Sequence, residues 1–511
     1  MPPSGQRPAF RLLGGLFAAA ALPSLLAACA TGSVRKADIR LPAAYEAVQP
    51  SDTAPAAALD HWWTLYRDPQ LSELVDQALN NSPDARDAAS KLKQAIAVRA
   101  AALTAYDPQG QLAGSASKSQ YYLLNGGSAA SLSGLSSLGS SLGGGSSFGS
   151  GASSLNSALV SETYSLGFNV SWELDLFGRR AAARRSAVAD LNNARFTYDA
   201  TRWSLAANVA DGLFQARGLA IQLDQANETL RIERQLYDVS KARADHGLAP
   251  ESDTAQTLAN VQTAEAQAQD LTAQLDAARR SLLLLVGRGV DPLASLPMPA
   301  QVGDPPPVPA ALPGELLVRR PDVRAAREQV ESAAGKLTLD KRALLPTFLL
   351  EPGAGLLQDG ASAADRLSYW SLAANATMPV LDRRRLLSVV RQQRAVAEQA
   401  VLAYEKTVQT AYGDAETAFT YYGSDKKRVQ MLVEAEKNAG FAYEAKKTGY
   451  SRGLNDLQTA LTAEANWRQT RLSLASAQVT LMQRSVQVFK ALGGGWTPDA
   501  PAAPGRRGAA G

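Results

Sequence analysis

Few residues in this chain are equipped for covalent chemistry. There is one cysteine, Cys29, and there are two histidines, His61 and His246, far apart in the sequence. A nucleophilic triad needs Ser or Cys beside a positioned base, and a Cys/His metal site needs ligands at short regular spacings. Neither pattern occurs. Carboxylates are plentiful, and counting alone leaves acid–base catalysis open, but nothing spaces them for that work. There is no GxxxxGK loop to cradle phosphates. The sequence predicts a protein that is not an enzyme and carries no cofactor and no metal. A formal charge of +4 and a pI of about 9.0 set up no field that would draw nucleic acid.

The one thiol does have a chemistry. Residues 1–28 place Arg7 and Arg11 before an apolar run from Leu12 and end in small residues, the layout of a secretory signal peptide. The run is too short and too oddly flanked to be a full membrane span. "LAAC", ending at Cys29, resembles the bacterial lipoprotein processing box, in which the thiol is alkylated by diacylglycerol and becomes the first residue. Ala30 stands where Asp would hold such a lipoprotein at the inner membrane, so export to the outer membrane is expected. Several acyl chains make a durable tether, at about 0.8 kcal/mol per buried methylene.

The elements behind that anchor are of two kinds. "YSLGFNVSWELDLFG", 164–178, alternates large apolar residues (Tyr164, Leu166, Phe168, Val170, Trp172) with small, polar or acidic ones. "WSLAANATMPVLD" from Trp370 and Leu372 repeats the pattern in the second half. A period of two makes a strand with one greasy and one wet face. In an exported chain, such a strand belongs in a membrane β-barrel, apolar side to lipid. A soluble sandwich strand is the alternative, but the sequence offers only four strands, two per half, and no second sheet.

The rest is helix. From Arg179 to Ala244 there is no Pro, and Val209, Ala216, Leu223, Leu230 and Tyr237 recur every seven residues as a coiled-coil seam. The chain repeats itself. "HGLAPESD" at 246–253 matches "RGLNDLQT" at 452–459, and Gly247/Gly453 and Gly287/Gly493 are both 206 positions apart (453 − 247; 493 − 287). A lipidated extended segment, 29–60, thus precedes a first repeat, 61–290. That repeat runs helix, weak strand, Gly/Ser-rich loop (126–158), strand and long helical hairpin. A Pro-rich linker, 291–313, leads to a second repeat, 314–496, and a disordered tail, 497–511. One unbroken helix is expected from "DPQLSELVDQ" to Asp107-Pro108.

Together the lipobox, "WWTLYRDPQLSELVDQALNNSPD", "SWELDLFGR", "LLVRRPDVRAAREQV" and "FKALGGGW" resemble the TolC-like outer-membrane factors, in particular the NodT-type efflux lipoproteins. The resemblance implies a mainly α fold with a small membrane β part. Four strands per chain would join a shared twelve-stranded barrel in a homotrimer, with long coiled helices in the periplasm. It implies a passive exit duct for small toxic compounds or drugs. Its partners would be a periplasmic adaptor, an inner-membrane pump of the resistance–nodulation–division class and outer-membrane lipid. The helix turns at Gly247-Leu248 and Gly453-Leu454 would be the adaptor-contact tips. The family's charged gate does not carry over, because its two places fall on Thr462 and Ala465. Asp456, Gln458 and Thr462 are the nearest candidates for a substitute constriction, and Asp456 serves equally well as a helix cap. A protein-secretion duct working with an ATP-driven pump, and a coiled-coil lipoprotein that spaces the envelope, are the competing functions. A spacer would have no use for paired amphipathic strands.

Overall fold

The structure, a computed structural model, describes residues 35–46, 53–54, 59–121, 159–247, 250–309, 313–359, 366–452, 454 and 456–493. Cys29, Leu248, Gly453, the Gly/Ser loop at 126–158 and the tail lie outside these. In chain order the main elements are α1 (Pro69–Asn81), α2 (Pro83–Thr104), β1 (Gln109–Tyr121), β2 (Leu159–Leu174), α3 (Arg179–Asp245) and α4 (Glu251–Leu285). The second half follows with α5 (Pro321–Arg342), β3 (Thr347–Asp359), β4 (Arg366–Thr377), α6 (Arg383–Ser451) and α7 (Leu457–Ala491). The fold is mainly α-helical with a four-stranded sheet; beyond the four expected strands, Thr53–Ala54 and Val308–Pro309 pair in a two-residue parallel ladder.

The halves correspond closely. α2 and α5 are both 22 residues long, α3 and α6 are 67 and 69, and α4 and α7 are both 35. At 1.5 Å per residue, α3 and α6 are each rods of about 100 Å. The chain forms two compact units, one from 101–183 and 339–389, the other from 1–100, 184–338 and 390–511.

The smaller unit holds the sheet. Its order is β1-β2-β3-β4, antiparallel throughout, so each half supplies one hairpin and β2 pairs with β3 to join them. The weak strand signal of the first half is β1. Its sequence, "QGQLAGSASKSQY", has only one large aliphatic side chain, Leu112. Its small residues are explained by its neighbour: a Cβ on Gly110 would lie 3.0 Å from the Phe168 ring, which covers that rung from β2.

The larger unit holds the core. Trp62 stacks on Phe489 with ring centroids 5.6 Å apart, and Leu71, Leu213, Phe214, Leu282 and Leu283 are fully buried around them. The residues of the seven-fold seam divide: Val209 and Ala216 are buried, whereas Leu223, Leu230 and Tyr237 are half-buried. The segment 35–46 runs along α6, with the Asp38 amide donating to Glu405 and the Glu46 amide to Glu416. Tyr45 is buried against Tyr412 and Phe419.

The expected single helix before Asp107 is two helices. Ser82 leaves the helical region at φ −55, ψ 137, and Pro83 starts α2. Proline cannot donate to the preceding turn but suits the first position of a new helix. α5 starts the same way, Arg320 preceding Pro321. Each of these turns receives the glycine that ends a hairpin. A Cβ on Gly287 would lie 2.7 Å from the Asn81 carbonyl, and one on Gly493 2.7 Å from Arg320 Cγ. Both glycines have positive φ, 81° and 73°. The "RRPD" and "KALGGG" motifs, far apart in sequence, are thus one contact.

Candidate functional site

The candidate functional surfaces are the two faces of the sheet and the ends of the hairpins. Register decides the first. Phe168 lies opposite Leu112 on one side and Ala354 on the other, and Ala354 lies opposite Trp370. One rung nearer the helices, Leu372 pairs with Pro352; beyond it, Trp172 pairs with Leu350. Because paired residues share a face, Tyr164, Leu166, Phe168, Val170, Trp172, Trp370 and Leu372 all lie on one side. That side is bare of protein in the single chain: Phe168 is 49%, Leu372 63% and Trp370 81% exposed.

The opposite face is wet. Ser115 and Ser165 share a hydrogen bond of 2.8 Å across β1 and β2, and Asn375 donates to Glu351 at 2.7 Å. Gln109, Gln111, Asn169, Ser171, Glu173 and Ser371 share this face, which carries no Lys or Arg among the described strand residues. At the end remote from the helices the apolar face closes with charge, Lys118 pairing with Glu162 at 2.6 Å.

At the tips, Gly247 has φ +68 and open space where a Cβ would be, and Leu454 is 77% exposed. Asp456 is the N-cap of α7: its Oδ1 accepts the Thr459 amide at 2.8 Å. Hydrogen bonds from the Thr459 side chain and amide hold its carboxyl below the usual carboxylate range. Gln458 and Thr462 are exposed on the first turns of α7, and the Thr462 hydroxyl donates to the Gln458 carbonyl at 2.7 Å. Asp456, Gln458 and Thr462 therefore form a short polar run beside the second turn.

Deeper along α7 lies a group that no sequence pattern marked. Glu464 and Glu233 are 2% and 4% exposed and share Arg468, which reaches Glu233 at 3.2 Å and Glu464 at 3.9 Å. Burial pushes the Glu464 carboxyl up; Arg468 pulls it down, Glu233 raises it further and Lys447 opposes. Trp467, beside them, donates to Glu436 at 2.9 Å and stacks on Tyr443 of α6. The cluster ties α3 and α6 to α7. Arg320 is the second such residue. It is buried, bidentate to Asp322, bonded to Asp414 and donating to the carbonyls of Ala411 and Ala491. "RRPD" drew attention as a motif, but its role depends on the ends of helices that arrive from elsewhere in the chain.

Comparison with known proteins places the chain in a family. The family model described as "Outer membrane efflux protein" matches residues 74–288 and 312–494. The pyoverdine export outer membrane protein OpmQ of Pseudomonas putida is 28% identical over 480 residues, covering 93% of this chain and 96% of that protein. The toluene efflux pump outer membrane protein TtgF of the same species is 25% identical, covering 88% of each. Among solved structures, the outer-membrane channel OprN superposes with a TM-score of 0.75 at 25% identity, over 91% of this chain and 100% of that one. The open-state MtrE channel of Neisseria gonorrhoeae has the same fold, with a TM-score of 0.72 at 22% identity over 91% of this chain and 98% of that one. The family model covers most of the chain, so the chain belongs to the outer membrane efflux protein family of TolC-like exit ducts, which are passive conduits.

Proposed function

We propose that three copies of this chain close their sheets into one twelve-stranded barrel across the outer membrane, three times four strands, and conduct small toxic compounds outward. One observation carries this: β1 and β4 have no further strand neighbour among the described residues, while the sheet is apolar on one face and polar on the other. In hydrocarbon each unpaired backbone group costs several kcal/mol, so the edges demand other copies. Two copies would give eight strands with a lumen filled by side chains; three leave a water path. The apolar face from Tyr164 to Leu174 runs for about 33 Å of strand, which at the tilt of membrane strands covers a band about 25 Å tall.

Cys29 is the lipidation site, anchoring each chain at the periplasmic side of the outer membrane, with the helices in the periplasm. The domain limits that fit are a signal peptide to 28, repeats at 61–290 and 314–496, and the linker between them; the two blocks of family match support that division. Gly247, Leu248, Gly453 and Leu454 are proposed as adaptor contacts, since a small turn with one exposed leucine allows close backbone approach and an apolar anchor. The adaptor would link the duct to an inner-membrane pump of the resistance–nodulation–division class, which supplies the energy. Asp456, Gln458 and Thr462 are proposed to narrow the periplasmic end. The named roles of the relatives in exporting pyoverdine and toluene support small-molecule cargo.

Cross-linking of the detergent-extracted, acylated protein tests the assembly. The ladder is expected to stop at three copies, and the unheated sample to run on gels as a heat-sensitive oligomer. A species that stays single under both conditions contradicts it.

A further inference from the structure

Both strands that lead into a long helix do so through the same short pattern. After β2 come Asp175, Leu176, Phe177, Gly178, Arg179 and Arg180; after β4 come Met378, Pro379, Val380, Leu381, Asp382, Arg383, Arg384 and Arg385. The apolar pair is exposed in each: Leu176 65%, Phe177 40%, Val380 69% and Leu381 98%. Each turn thus leaves a bare apolar pair at an element end, a feature that marks an interaction surface.

The first of these turns is a built structure. Gly178 has φ +75, and the Arg342 guanidinium donates to its carbonyl while filling the space a Cβ would take. Phe177 meets Phe348 with ring centroids 6.3 Å apart. Phe348 pairs with Leu174 and Ala376 and so belongs to the apolar face, which therefore continues past its last rung into the turn. Arg179 is held by Glu173 at 2.9 Å, Arg180 by Asp107 at 2.6 Å, and Arg385 by Asp382. Arg384 is exposed and has no carboxylate within ion-pair distance among the described residues.

We propose that this rim is a collar that binds anionic phospholipid in the leaflet next to the helices, an inference that rests on the barrel reading above. The apolar pairs sit at the boundary of acyl chain and headgroup, and the arginines that follow reach the phosphates. A guanidinium has five donors in a planar fork, so one already bonded to a carboxylate still has N–H groups for a phosphate oxygen. Basic clusters immediately beside a membrane-spanning element favour anionic lipid. Among the described residues, the other end of the apolar face has no run of arginines: Lys118 is neutralised by Glu162, and Arg366, bonded to Gln358 at 3.2 Å, stands alone. The run of arginines lies, among the described residues, at the helix-side rim, and in the leaflet proposed there the lipid is phospholipid, not lipid A.

Native mass spectrometry of the acylated trimer, titrated with phosphatidylglycerol or phosphatidylcholine of matched chains, tests the collar. Wild type is expected to retain phosphatidylglycerol over phosphatidylcholine. Arg384→Gln is expected to lose about fivefold of that preference, while Arg384→Lys keeps most of it. Equal retention of the two lipids by wild type, an unchanged preference in Arg384→Gln, or a preference for lipid A over phosphatidylglycerol overturns the collar. Conductance of the same preparation separates the two claims. A trimer that conducts without lipid preference sinks the collar alone, and one that does not conduct sinks the barrel.

Discussion

Asp211 lies in a cleft of about 900 Å³ lined by Trp203, Arg320, Asp414, Tyr421 and Lys490. Its Oδ2 accepts from Gln487 at 2.7 Å, while its Oδ1 is buried without a hydrogen-bond partner. Burial pushes its pKa up from 3.8 to about 6, against the pull of Lys490 and Gln487. A raised carboxyl pKa means that the fold favours the protonated form. The stability it contributes is whole below about pH 4 and is lost as pH rises through about 6. Asp211→Asn keeps the shape and removes the charge. Its melting temperature is expected to exceed wild type at pH 8 by an amount equivalent to at most about 3 kcal/mol, with the gap closing by pH 4. A gap that is the same at both pH values contradicts the buried-charge account. Nothing in the sequence around Asp211, Glu464 or Arg468 marks them, because their burial comes from helices that meet from distant parts of the chain. By contrast Tyr164 to Trp172 were legible at once, since a period of two needs only local sequence.

Elements were legible where their periodicity was strong. The span of α3 and the second strand of each hairpin follow from spacing alone, and the 206-residue repeat reappears in the starts of α4 and α7, Glu251 and Leu457. β1 was faint because its apolar face is built from small residues that a neighbour covers. The break at Ser82 was hidden because proline at a helix start looks, in sequence, like proline inside a helix. Glycine at the hairpin ends was visible, but not what it touches. Gly493→Ala is expected to cost about 2 kcal/mol or more in unfolding, from its positive φ and the collision with Arg320. Gly247→Ala, with similar φ but open space, is expected to cost clearly less. Equal losses would mean that the Gly493–Arg320 contact does not matter. At the other end of α7, Asp456→Ala removes a cap worth about 1 kcal/mol. If Asp456 also narrows the duct, the same change raises the conductance of isolated trimers and sensitises cells to vancomycin. An unchanged conductance leaves Asp456 a cap and nothing more.

At the scale of the whole molecule, the proposed barrel needs more than one chain. Among the described residues the chain's sheet ends in two edges with no further strand, its apolar face is exposed, and no helix is apolar enough over sufficient length to cross a membrane. The family was legible from motifs at both ends of the chain, and the length relations between halves were legible from the repeat. The number of copies was not, because closure is a property of an assembly and each chain encodes only its own strands. Current through planar lipid films is the most direct test. Purified, acylated protein is expected to insert as trimers and give discrete, long-lived conductance steps. Its ion preference should shift away from cations in Glu351→Gln, since Glu351 lies on the polar face. Protein that stays monomeric and passes no current would contradict the account.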